Sequence, residues 1–276
     1  MTVQLYPQIF ANGKKVKSEH LFPAEFSEDK LFVFESLRSY QGHIFRLEEH
    51  LTRLFESANT VGLKLCKTRA QLKKELTMCL ANIPKQDAFI RLTADNQDSF
   101  ILILDRRRPA WIYTRGVDLK TAVTRRTFIK AAPPEPKSSA FFNSVLGIME
   151  QNSSDVYESI FLDADGYVTE ATVWNLFMVK EDKIFTPQSG ILNGVTRQFV
   201  IECAGKESLP VIEWNLTRHD FWSADEAFLT NTSGEIVPIR SLDGRTIGKE
   251  VPGLITKRLT ARFRKELEQE LGVRED

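Results

Sequence analysis

Strand-like and helix-like stretches alternate along this chain, and that alternation confines it to a mixed α/β architecture. Phe32 to Tyr40 (FVFESLRSY) is rich in aromatic and β-prone residues, and Gln41-Gly42 follows it as a turn. The period then changes: between Arg46 and Val61, residues Leu47, Leu51, Leu54, Phe55, Ala58 and Val61 fall on one stripe, which predicts an amphipathic helix. Thr68 with Gln71 three residues later has the form of a capping box and opens a second helix that ends before Pro84. Ala88 to Ala94 and Phe100 to Leu104 read as paired strands around the polar turn Asp95 to Asp98.

The run Arg106-Arg107-Arg108-Pro109 interrupts this pattern, and a new extended stretch begins at Arg115-Gly116. At roughly 150 residues per domain, 276 residues suit one large domain or two modest ones. We therefore expect a small N-terminal α/β domain over 1–110, a linker over 111–116 and a larger domain over 117–276. In the second half, Val117 to Val123, Ser159 to Leu162, Leu176 to Val179, Ala227 to Leu229 and Ile236 to Ile239 read as short strands. Helices at Ser144 to Gln151 and Arg197 to Ala204 interrupt them. Ile255, Leu259, Phe263, Leu267 and Leu271 recur every fourth residue and predict a closing surface helix laid on a core.

Charge and composition exclude several function classes. Lys plus Arg and Asp plus Glu both number 37, so the chain lacks the basic excess of a nucleic-acid binder. Cys66, Cys79 and Cys203 form no CxxC pair, and His20, His43, His50 and His219 form no HxxxH spacing, so neither a disulfide framework nor a metal site is expected. The first residues lack an apolar signal-type segment, and no uncharged run of 18 residues occurs, which points to a cytoplasmic protein with no membrane partner.

Several residues could carry chemistry. Lys137 closes the run AAPPEPK just before the apolar stretch Ala140 to Met149; a lysine at such a border can be desolvated and attack a carbonyl, although most lysines simply face water. Glu170 ends the strand that leaves the Asp165-Gly166 turn, where a carboxylate can pair with a ring nitrogen or stand solvated. Gly194-Val195-Thr196-Arg197 opens a helix with free N–H groups, suited to a phosphate or to plain capping. Thr230 to Gly234 is a polar turn that could line a phosphate or be only a turn. Arg53, on the first amphipathic helix with His50, could supply a cation or a surface salt bridge.

Taken in order, these segments resemble the class IV (fold-type IV) pyridoxal phosphate (PLP) aminotransferases. That group includes branched-chain and D-amino acid aminotransferases and aminodeoxychorismate lyase. The matching stretches are FESLRSYQGHIFRLEEHLTRLFESA (34–58), Lys137, LDADGYVTEATVWNLFMV (162–179), FTPQSGILNGVTRQFVIECA (185–204) and AFLTNTSGEIVPIRSLDGRTIG (227–248). The resemblance implies a two-domain fold, a small N-terminal α/β domain and a larger β-barrel-like C-terminal domain, in a homodimer. It implies that Lys137 holds PLP as a Schiff base and shuttles a proton, and that Glu170 pairs with the pyridine nitrogen. Arg53, the N–H groups of Val195 and Thr196 and the hydroxyl of Thr232 would bind the phosphate, and Leu192 would pack on the ring. Phe34 would line the substrate pocket, Arg38 and Arg91 would handle a carboxylate, and Asn175 would shape the loop.

The chain departs from the family at Phe142, where branched-chain enzymes often carry a tyrosine, at the stretch 26–33, and at Asn193, where Pro is usual. The expected activity is transfer of an amino group between an amino acid, of branched-chain or D-type, and a 2-oxo acid such as 2-oxoglutarate. The alternatives are the lyase, which eliminates pyruvate to give 4-aminobenzoate, and a non-catalytic member of the family.

Overall fold

The computed structural model describes residues 7–17, 31–83, 87–126, 136–139, 142–152 and 156–272. Residues 26–30 of the divergent N-terminal stretch, Pro84 and the side chain of Phe142 lie outside the described residues. The chain divides into two compact units. Met1–Arg107, Pro136–Ala140 and Leu271–Asp276 form the first; Arg108–Glu135 and Phe141–Glu270 form the second. Lys137 thus belongs with the N-terminal unit although it lies 30 residues beyond Arg107.

The first unit is an antiparallel sheet of six described strands in the order β2-β1-β6-β5-β3-β4. These are β1 (Gln8–Ala11), β2 (Lys14–Val16), β3 (Val33–Tyr40), β4 (His43–Ile44), β5 (Ala88–Ala94) and β6 (Ser99–Leu104). The β3–β4 hairpin turns on Gln41 (φ 47°) and Gly42 (φ 85°), the double positive φ of a turn that matches strand twist. Asn12-Gly13 makes a similar turn between β1 and β2, a hairpin that the sequence reading missed. Helix α1 (Leu47–Thr60) buries Leu51, Leu54 and Ala58, and α2 (Arg69–Ala81) buries Leu72, Leu76 and Cys79. They pack with Val33, Leu37, Ile90 and Leu92 into one core, each large side chain contributing roughly 1.5–3 kcal/mol by leaving water. The expected capping box is present: the Gln71 N–H donates to Thr68 Oγ1 (3.3 Å), and the Thr68 N–H donates to Gln71 Oε1 (2.8 Å).

The second unit carries a nine-stranded sheet of described strands with both parallel and antiparallel pairs. Its strands are β7 (Val117–Thr121), β8 (Glu158–Leu162), β9 (Val168–Ala171), β10 (Asn175–Lys180), β11 (Lys183–Pro187), β12 (Val211–Trp214), β13 (Glu226–Asn231), β14 (Glu235–Leu242) and β15 (Arg245–Thr246). Along the order β12-β11-β10-β13-β14-β7-β8-β9, the last strand returns to contact β10 and β11, so the sheet curls into a half-barrel. The stretch 111–116 contains a short helix, α3 (Trp111–Arg115), and α4 (Phe142–Asn152) follows β7. Helices α5 (Val195–Lys206), α6 (Arg218–Trp222) and α7 (Leu254–Leu271) complete the unit; α7 buries Ile255, Leu259, Phe263 and Leu267, the stripe read from the sequence.

Candidate active site

Strand alternation sorts the N-terminal candidates onto two faces of β3. Phe34 and Arg38 share one face with Arg91, which stands opposite Ser36 on β5. The Arg91 guanidinium lies 3.5 Å from the centre of the buried Phe34 ring. Arg38 is already paired with Asp87 (3.2 Å) and lies over Tyr40. Glu35 points the other way, toward α1, and is fully buried. There Arg53 grips it with two hydrogen bonds, and His50 Nδ1 lies 2.8 Å from Glu35 Oε2.

Lys137 is fixed to this unit through its backbone. Its carbonyl accepts the Phe34 N–H (3.0 Å), its own N–H donates to Ser57 Oγ (3.1 Å), and Ser138 bridges to Val33. Its Nζ lies 5.4 Å from the centre of the Phe34 ring. Burial raises the Glu35 carboxyl, but the charges of Arg53 and Lys137 and the hydrogen bonds from Arg53 and His50 outweigh it and hold the group well below the carboxylate range. Burial pushes His50 down in spite of Glu35, so its ring is neutral at pH 7. Lys137 is therefore a half-buried amine whose charge acts on a carboxylate held well below its ordinary range.

In the second unit, three donors converge on Glu170. Arg126 donates to Oε1, while the Leu192 N–H (2.9 Å) and Asn175 Nδ2 (3.1 Å) donate to Oε2. All three complement an ionised carboxylate. Asn175 Nδ2 also donates to the Leu192 carbonyl (2.9 Å), tying the loop before α5 to the start of β10. At the head of α5, which begins Val195-Thr196, Gly194 is the N-cap and, among the described residues, no side-chain cap hydrogen bond is formed. A Cβ on Gly194 would sit 2.2 Å from Asn175 Oδ1, so only glycine allows this approach. Arg197 turns away from the helix head and is consumed by Glu213 (2.8 Å).

The turn Thr230 to Gly234 is held by hydrogen bonds to one of its own side chains. Asn231 Oδ1 accepts the N–H groups of Ser233 (3.0 Å) and Gly234 (2.8 Å), which leaves Thr232 half-buried at its tip. The second unit thus offers an uncapped helix head, which suits a phosphate, and a carboxylate held by donors, which suits a protonated ring nitrogen. Those features fit PLP. Among the described residues no cluster of His, Cys, Asp and Glu could hold a metal ion, and no helix is long and apolar enough to cross a membrane.

The sequence reading passed over Glu35 and Arg126. Each is a charge buried against a partner far along the chain, and spacing carries no signal of that kind. A charged residue at an inward strand position was the available clue for Glu35.

Residues 32–242 match the profile of the amino-transferase class IV family. A Methanocaldococcus jannaschii protein, with a provisional branched-chain-amino-acid aminotransferase name, is 34% identical over 97% of this chain and 98% of its own. A Bacillus licheniformis D-alanine aminotransferase is 29% identical over 82% of this chain and 83% of its own. The solved structure of a T.th. branched-chain amino acid aminotransferase with pyridoxamine 5'-phosphate superposes at a TM-score of 0.85 with 27% identity, covering 97% of this chain and 95% of the other.

Proposed function

Because the chain belongs to the class IV aminotransferase family and is a PLP-dependent aminotransferase acting on amino acids and 2-oxo acids, we propose that it transfers the amino group of branched-chain amino acids to 2-oxoglutarate. Lys137 is its covalent (Schiff-base) anchor for the cofactor. The observation that carries the substrate reading is the likeness to the branched-chain relative along nearly the whole of both chains. The names of these relatives give the lyase alternative no support.

When bound, PLP supplies an aldehyde carbon and a ring that accepts electron density from the substrate Cα. The chain's own residues hold and serve it. Lys137 Nζ carries the proton lost from Cα, and the Glu35 carboxylate keeps positive charge favourable around it. Glu170 accepts from the ring nitrogen and so keeps it protonated. The Val195 and Thr196 N–H groups, the Thr232 hydroxyl and Arg53 hold the phosphate, and Leu192 packs on the ring. Phe34 lines the substrate pocket, with Arg38 and Arg91 in the network that handles a carboxylate. The homodimer and the cytoplasmic setting belong to the same reading and rest on the family resemblance and the sequence.

Incubating the holoenzyme with 2-oxoglutarate and each of L-leucine, L-isoleucine, L-valine and D-alanine tests the proposal. Glutamate formed from the three L-amino acids supports it. Glutamate formed from D-alanine alone would transfer the reading to the D-amino acid class, which the Bacillus relative favours.

A further inference from the structure

Arginines are the natural readers of carboxylates, and most of those near the candidate groups are already paired. Arg38 is paired with Asp87, Arg53 with Glu35, Arg126 with Glu170 and Arg197 with Glu213. Arg108 differs. Its Nε is buried and has no hydrogen-bond partner, and no carboxylate among the described residues forms an ion pair with it. Its hydrogen bond to the described residues is to a neutral group, from Nη2 to Ser233 Oγ at 3.3 Å.

The surroundings of Arg108 are closely packed. Its guanidinium carbon lies 5.4 Å from the centre of the Trp174 ring, and Trp174 is buried. A Cβ on Gly234 would meet that ring at 2.1 Å, so the turn carrying Ser233 is pressed against the same indole. Ser233 Oγ in turn donates to Asn231 Oδ1 (3.3 Å) and is thereby oriented to accept from Arg108. The acidic group whose charge Arg108 influences is Glu158. Burial holds its carboxyl up to about 7, against hydrogen bonds from Thr172 Oγ1 and the Ser159 N–H, so its charge is only partly formed at neutral pH. A planar cation packed over a buried indole, with an unbonded buried Nε–H and no ion-paired carboxylate among the described residues, leaves part of its hydrogen-bonding capacity unmet.

We infer that Arg108, oriented by Ser233 and Trp174, is a specificity-determining residue that receives a carboxylate of the amino-acid and 2-oxo-acid substrates. Ser233 follows Thr232, so this cation stands next to the turn that the preceding section gives to the cofactor phosphate; the inference rests on that reading. An incoming carboxylate would complete the charge-assisted hydrogen bonds of the guanidinium. The α-carboxylate and the distal carboxylate of a dicarboxylic substrate share this chemistry, and they separate experimentally.

The test uses holoenzyme carrying native Arg108, Arg108→Met, which keeps an apolar stem over Trp174, or Arg108→Lys, which keeps the charge without the fork. Calorimetric titration with two non-reacting acids, 4-methylvalerate and glutarate, gives affinities free of turnover, and KM and kcat are measured for leucine and glutamate. In Arg108→Met, affinity for 4-methylvalerate falls and KM for both amino acids rises by about ten-fold or more, while kcat and cofactor content change little. Arg108→Lys loses less. A loss confined to glutarate and glutamate assigns the contact to the distal carboxylate and also supports the inference. Native affinity for both acids in the variants overturns it, and if Arg108→Met does not fold, native affinity in Arg108→Lys does so alone. Failure of the branched-chain reading looks different: native enzyme would bind glutarate and turn over glutamate but not leucine.

Discussion

Arg53 and Glu35 form a two-pronged ion pair inside the first unit, Nε to Oε1 and Nη2 to Oε2, each at 2.7 Å. Two of the five N–H donors of the guanidinium are thereby given to an internal carboxylate, which fixes the plane and direction of the side chain on α1. His50, one turn earlier on the helix, holds the second carboxylate oxygen from the other side. A residue expected to serve a phosphate is thus first a positioned residue, and the strand that positions it also carries Phe34.

Removing the carboxylate deprives the buried Arg53 guanidinium of its two-pronged ion pair. Glu35→Gln should lower stability by about 3–5 kcal/mol, read from the urea midpoint. The folded-state carboxyl of Glu35 sits below its ordinary value of 4.5, so its contribution is present above that pH and is lost as pH falls toward the depressed value. The acid limb of the stability curve should therefore flatten in Glu35→Gln. Coincident native and variant curves would refute the account.

Lys137→Ala should leave the fold intact, because Lys137 is fixed through its backbone N–H and carbonyl, which the substitution keeps. Borohydride treatment of the native holoenzyme should give a stable adduct on the peptide carrying Lys137, and the variant should give none there. An adduct mapped to a different lysine would remove Lys137 from its role.

Gly194→Ala places a methyl group 2.2 Å from Asn175 Oδ1. Asn175 cannot swing aside cheaply, since its Nδ2 is shared between Glu170 and the Leu192 carbonyl. Overpacking of this kind costs about 1–3 kcal/mol and should displace Asn175 from Glu170. Phosphate affinity of the apoprotein, measured by calorimetry, should fall with it; an unchanged value would detach the α5 head from phosphate binding.

Glu158 behaves in the opposite sense to Glu35. Its folded value is raised from 4.5 to about 7, so the folded protein holds that proton more tightly than the unfolded chain. Stability from this group is full below pH 4.5 and is lost as pH rises through 7, by roughly 3 kcal/mol at about 1.4 kcal/mol per unit. Glu158→Gln should remove this decline and be more stable than native at pH 8. A variant less stable than native at pH 8 would contradict it.

The local elements were legible wherever their cause is local. The stripe of α1, the Thr68–Gln71 capping box and the fourfold spacing of α7 are contacts between residues three and four apart, so they are written in the order of residues. The short strand β12 escaped because its pairing partner lies 27 positions back along the chain, Ile184 with Val211, whereas β11 is the local hairpin partner of β10, Met178 with Phe185, and was simply not read. Residue chemistry marked a lysine, a glutamate and a glycine-led helix only as possibilities, and it was the order of the segments, through the family resemblance, that gave them proposed roles.

Sequence by itself determined which chemistry the chain can hold: a lysine at an apolar border, an acid at a strand end, a helix head with no side-chain cap. Only the tertiary structure decided what those groups meet. It set Lys137 beside Phe34 and the charge of Glu35, aimed three donors at Glu170, and left Arg108 without an anion among the described residues while giving Arg38, Arg53, Arg126 and Arg197 theirs. The reason is the range of the forces concerned. Periodicity and capping act over a single turn of chain, whereas burial and ion pairing depend on distances that exist only once remote segments have packed together.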